Sequence, residues 1–233
     1  MTTKSWDLHM AIPEGVTRLS ELLVLGGGLS AEKLKIAVAA IDQVHGDGRV
    51  GIVQVTLVAG NAQQGSYVPG PPPAITIKSR GAEPALSLLH EVGHLLDDRG
   101  FGPGQGFRSM AGDIRLEPWR KAVSSSRLFA RLASMKGKAR MKVPRAFGPG
   151  FELASINQEV VEDWLLPREL FARSYAQYIA AESGDSTLTT ELQHARSGRL
   201  YPEHWMDDDF VSIRSEMDAL VRAQAHDGRK VRL

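Results

Sequence analysis

Leu88-Leu89-His90-Glu91-Val92-Gly93-His94-Leu95-Leu96-Asp97 is the stretch on which the fold turns. Residues four apart on a helix lie about 40° apart in azimuth, so His90 and His94 present two imidazoles on one face. Glu91 projects from the flank of that face. Two neutral nitrogen donors and a carboxylate able to take a proton from metal-bound water form the set a zinc hydrolase requires. Pro84 suits a first helical turn, and Gly100 supplies a stop. Ala85, Leu88, Leu89, Val92, Leu95 and Leu96 provide the apolar positions of a buried helix. Gly93 costs about 1 kcal/mol in a helix interior relative to Ala, which implies that another element approaches closely there.

A zinc site needs a third protein ligand, and the best candidate is Glu169, in Pro167-Arg168-Glu169-Leu170-Phe171-Ala172-Arg173-Ser174-Tyr175-Ala176-Gln177-Tyr178. Pro167 again marks a helix start. Ala172 and Ala176 lie three and seven residues on, a stripe of small side chains that allows packing against the first helix near Gly93. That packing would carry Glu169 to the two histidines. Phe171, Tyr175 and Tyr178 fall on other faces and read as core. Asp97 lies seven residues after His90 on nearly the same azimuth, and Arg173 one turn beyond Glu169. They are expected to pair with each other and orient the ligands from behind. Tyr67, Tyr201 and His204 are further candidates for stabilising an oxyanion.

The pair HEVGHLLD and ELFARSYAQYI resembles the gluzincin pattern, a histidine pair on one helix and a ligand glutamate followed by alanines on the next. It is most similar to the lethal-factor-like zincins and to the zincin-like metallopeptidase domains of polyvalent phage and mobile-element proteins. Tyr201-Pro202-Glu203-His204-Trp205-Met206-Asp207-Asp208-Asp209-Phe210 is similar to the latter. The resemblance covers roughly residues 30–220, with only these short motifs specific. It implies Zn²⁺ ligands at His90, His94 and Glu169, with a general base at Glu91. Lethal-factor-like members carry a tyrosine shortly before the ligand glutamate. This chain has Glu162, Asp163 and Trp164 there, which leaves the electrophile unassigned.

The fold expected is α+β and zincin-like: a small mixed sheet, an edge strand beside the histidine helix, and a mostly helical C-terminal half. Residues 30–45 read as an amphipathic helix capped by Ser30 and stopped by Gly46. Residues 50–58 alternate as a strand. A Gly/Pro-rich loop holding Tyr67 spans residues 61–73, followed by residues 74–79 as a second strand. Its flanking prolines, Lys78 and Arg80 suit a sheet edge, which either binds an extended peptide or is simply protected.

Residues 95–168 separate His94 from Glu169, with Phe101-Gly102-Pro103-Gly104 and Phe147-Gly148-Pro149-Gly150 as turn-forming corners. Residues 105–146 hold 11 Lys or Arg against Asp113 and Glu117. Within this basic insertion, at about residues 101–150, residues 118–135 are expected as one helix and residues 136–145 as a mobile stretch. The insertion reads as a lid, an exosite for acidic substrates, a nucleic-acid contact, or a solvated loop. Downstream, Asp207, Asp208 and Asp209 favour a helix start. Gly26-Gly27-Gly28 reads as a turn, since no Lys-Ser/Thr follows. Ser124-Ser125-Ser126 lacks a nucleophile elbow. His9, His45, His194 and His226 read as solvent-facing.

At 233 residues and 42% hydrophobic, the chain can bury one core, read as a single catalytic domain over residues 1–233. A formal net charge of +1 argues against a protein that coats nucleic acid uniformly. With no Cys there is neither a disulfide framework nor a thiolate ligand. Residues 1–15 show no long apolar run, so the chain is expected in the cytoplasm or delivered without a classical signal peptide. The function expected is a zinc-dependent endopeptidase acting on a protein or peptide substrate, with no membrane partner. The alternative is a zincin-fold binding or antagonist module of phage or mobile-element origin with little or no proteolysis, nucleic acid being a partner for the basic segment at residues 105–146.

Overall fold

A computed structural model describes residues 19–25, 31–45, 52–59, 64–101 and 106–227. Ser30, Gly46, the turn at residues 26–28, residues 61–63, residues 102–104, His9 and the side chain of His226 lie outside them. The described chain has mixed α and β structure with more helix than strand. Two short strands and a helix come first: β1 (Leu23–Leu25), α1 (Ala31–Val44) and β2 (Val53–Val58). β3 (Gly65–Val68) and β4 (Ala74–Lys78) follow, then α2 (Pro84–Arg99). The sheet order is β1-β2-β4-β3, with β1, β2 and β4 parallel and β3 antiparallel to β4. Val53, Val55, Ile75 and Ile77 form its buried face, as period-two alternation requires.

The edge beside α2 is therefore β3, a correction to the expectation that residues 74–79 are the edge. β4 is internal because its apolar pair is fully buried and both its sides are hydrogen-bonded, with the prolines lying before the strand. β3 was hidden within a Gly/Pro-rich stretch and is too short to show alternation.

The described residues of the insertion, from residue 106 on, are folded. α3 (Glu117–Ser124) and α4 (Arg127–Met135) replace the single helix expected over residues 118–135, because Ser126 takes an extended backbone and caps α4 through Phe129 N–H. Residues 140–144, expected to be mobile, form β5 (Arg140–Pro144), paired antiparallel with β6 (Phe151–Ser155). Then come α5 (Gln158–Trp164), α6 (Pro167–Ser183), α7 (Ser186–Arg196) and α8 (Asp207–Asp227). Pro84 and Pro167 stand in the first turns of α2 and α6, and Gly184 ends α6 in the left-handed conformation at φ 64°.

α2 and α6 pack at the centre of one core that also takes in α1, the sheet, α3, α4, α7 and α8. A Cβ on Gly93 would stand 2.7 Å from Ala172 Cα, so the glycine permits the close approach that its place in a helix implied. His45 is buried and hydrogen-bonded to Tyr175, which corrects its reading as solvent-facing. Among the described residues, no helix is long and apolar enough to cross a membrane.

Candidate metal centre

His90 and His94 lie on successive turns of α2 and Glu169 in the first turn of α6. The packing of Gly93 on Ala172 brings these elements together. The two imidazole Nε2 atoms are 3.1 Å apart. Glu169 Oε2 lies 3.3 Å from His90 Nε2, and Glu169 Oε1 lies 3.4 Å from His94 Nε2. Nitrogen and oxygen donors bound about 2.0–2.1 Å from one tetrahedral ion stand roughly 3.3–3.4 Å apart. The spacings match those of ligands around one small cation, the two imidazoles reaching different oxygens of Glu169. This trio could hold a metal ion.

Burial pushes the His90 imidazole down to about 4, against the Glu169 contact that raises it, so the ring is neutral at pH 7 and keeps a lone pair. Burial alone would raise the Glu169 carboxyl. Its hydrogen bonds to His90 and His94 outweigh that and hold it well below the usual carboxylate range. Both groups carry the charge state a ligand needs.

Glu91 is 5% exposed, and burial pushes its carboxyl up to about 7 despite a backbone hydrogen bond from Tyr67 N–H. β3 comes close enough for that bond because residue 65 is glycine: a Cβ there would be 2.7 Å from Glu91 Oε1. Lys78 N–H donates to the Gln64 carbonyl, so alternation turns the backbone groups of Gly65 and Tyr67 away from β4. A cleft of about 530 Å³ opens between β3 and the start of α6, with His90, Glu91, His94 and Glu169 in its lining.

The outer candidates separate. Asp97 and Arg173 do not pair with each other, which corrects that expectation. Asp97 accepts hydrogen bonds from the Ser109 N–H and hydroxyl, and His94 Nδ1 is buried without a hydrogen-bond partner. Arg173 donates to the Trp164 carbonyl at 3.0 Å and lies over the Trp164 ring, its guanidinium lowered to about 10 by burial and still charged. Ser109 lies against Asp97, and Trp164 takes the near side of Arg173. Tyr67 lines the cleft, but its hydroxyl donates to Asp98 at 2.7 Å. Tyr201 stands outside the cleft lining, its hydroxyl accepting Asn157 N–H. His204 lines the cleft with Nδ1 unpartnered, and burial beside Arg173 holds its ring well below the ordinary range.

Arg168, Phe107 and Gly65 are among the cleft residues that the sequence did not single out. Arg168 stands 3.4 Å from Glu169 Oε1 and over the Phe107 ring, and Phe107 packs edge-to-face on His94. Gly65 sets the approach of β3. Adjacency to Glu169 was a signal for Arg168. Phe107 had none, since it reaches His94 only through the fold of the insertion. Phe107 is also the insertion's one contribution to the cleft lining among the described residues.

No protein-family model, curated protein or solved structure matches this chain.

Proposed function

We propose that the protein is a zinc-dependent endopeptidase of gluzincin type built on a zincin-like fold. The observation that carries this reading is the convergence of His90, His94 and Glu169 beside a buried Glu91 in an open cleft. A divalent ion held by the three ligands would supply Lewis acidity, making a water acidic near neutral pH and polarising a carbonyl. Glu91 takes the proton of the attacking water on its carboxylate and returns it to the leaving amine, a task suited to a group poised near 7. The Gly65 backbone N–H and carbonyl and the Tyr67 carbonyl turn away from β4 along one wall, where an extended peptide adds as a strand to β3 while Tyr67 N–H stays with Glu91. His204, in the cleft lining, is assigned the hydrogen bond to the carbonyl oxygen on which charge develops.

Elemental analysis and a proteome-wide cleavage assay, comparing the wild type with Glu91→Gln, test this reading. One zinc per chain is expected in both, with cleavage at least about 100-fold lower in the variant. Equal cleavage by both proteins refutes the mechanism. Zinc in both with cleavage by neither indicates a binding module instead.

A further inference from the structure

The hairpin β5–β6 lies outside the cleft lining and carries a face of its own. Directly paired residues of antiparallel strands share a side of the ribbon. One side holds Met141, Val143, Glu152 and Ala154. Val143 there is buried and Met141 packs on the core, so this side faces the body. The other side, carrying Arg140, Lys142, Pro144, Phe151, Leu153 and Ser155, therefore faces solvent. Phe151 is 67% and Leu153 62% exposed, and Phe147 in the connecting turn is 92% exposed. The cations lie along β5 and the large apolar groups along β6.

These cations differ from several others of the basic segment. Arg115, Arg120 and Arg127 are paired with Asp113, Glu117 and Asp208. Exposed Lys136, Lys138, Arg140, Lys142 and Arg145 form no ion pair with any acid among the described residues. Glu152, the hairpin's own acid, is on the inner side and pairs with Arg199 at 2.6 Å. The local charge excess is thus concentrated, unneutralised, beside three exposed apolar side chains.

We propose that this face binds single-stranded nucleic acid, with phosphates tracking Lys138 to Arg145 and bases stacking on Phe147 and Phe151. A cationic rail beside aromatic platforms is the arrangement that captures single strands without reading sequence. Residues two apart on a strand stand about 6.6 Å apart, which leaves room for a flat base against each apolar side chain. The register disfavours a lipid surface: Lys142 stands directly opposite Leu153, so inserting Leu153 would carry that ammonium into hydrocarbon. A second copy of the face would set unpaired cations against one another.

Fluorescence anisotropy with a labelled 20-nucleotide oligothymidine tests the proposal, using the full chain at several salt concentrations. Binding should weaken steeply with salt. Phe147→Ala and Phe151→Ala should each weaken it at least about fivefold with the salt slope unchanged. Changing Lys138, Lys142 and Arg145 together to Gln should reduce the slope of log K against log salt by about 2. These side chains are exposed, so circular dichroism should show the variants folded, and Glu91→Gln should bind like the wild type. No binding at low salt, or binding indifferent to both sets of changes, overturns the proposal. So does binding to phosphatidylserine vesicles without binding to the oligonucleotide, or self-association abolished by Phe147→Ala.

Discussion

Gly93 and Gly65 set the spacing of the candidate metal centre against different kinds of neighbour. A methyl on Gly93 would meet Ala172 Cα, which cannot rotate away. Gly93→Ala is expected to destabilise the fold by about 1–3 kcal/mol in chemical denaturation, despite the helix propensity it adds. A methyl on Gly65 would meet Glu91 Oε1, the far end of a flexible side chain. Gly65→Ala should keep both stability and zinc while lowering cleavage at least about tenfold, since the base is displaced. Comparing the melts and the cleavage rates of the two variants separates these effects. Asp97 gives a pH signature. Burial pushes its carboxyl up to about 6 against the opposing hydrogen bonds from Ser109. The folded protein therefore keeps a proton, between about pH 4 and 6, that the unfolded chain has lost, and stability falls as pH rises through that window. Measured relative to Asp97→Asn, wild-type stability should decline by about 2–3 kcal/mol from pH 4 to 7. A constant difference would show that Asp97 does not titrate this way.

At the scale of elements, the break between α3 and α4 is held by one hydroxyl. Ser126 Oγ accepts Phe129 N–H and the buried Trp205 Nε1–H, and donates to the Val123 carbonyl. Ser126→Ala removes a helix cap and leaves the indole unsatisfied. It should cost about 2–3 kcal/mol, read as a lower denaturation midpoint with zinc binding retained. Elements bounded by strong local chemistry were legible in the chain. Pro84, Gly100, Pro167 and the aspartates at the head of α8 mark ends that hold wherever the helix packs. β3 was not legible, because a four-residue strand containing glycine exists only through its ladder to β4. The helix break at Ser126 was equally silent, since the partner that fixes it, Trp205, lies far along the chain.

For the whole molecule, a metal held by His90, His94 and Glu169 would join α2 to α6 across the core, so occupancy should be visible in global stability. At a hundred times the dissociation constant a ligand adds about 2.7 kcal/mol. A chain of this size should then melt roughly 5–10 °C higher with zinc than after chelation. His90→Ala should lose most of that rise, and a melt indifferent to zinc in the wild type would count against a site that spans two helices.

From its order of residues alone the chain declares the histidine helix, the close contact at Gly93 and a glutamate at the head of a small-residue helix, because caps and helical spacing act over a few residues. Which carboxylates become partners was decided only by tertiary structure. Asp97 went to Ser109, Arg173 to Trp164, and the edge beside Glu91 to β3. Such choices depend on which side chain arrives first across space, and no local pattern encodes that distance.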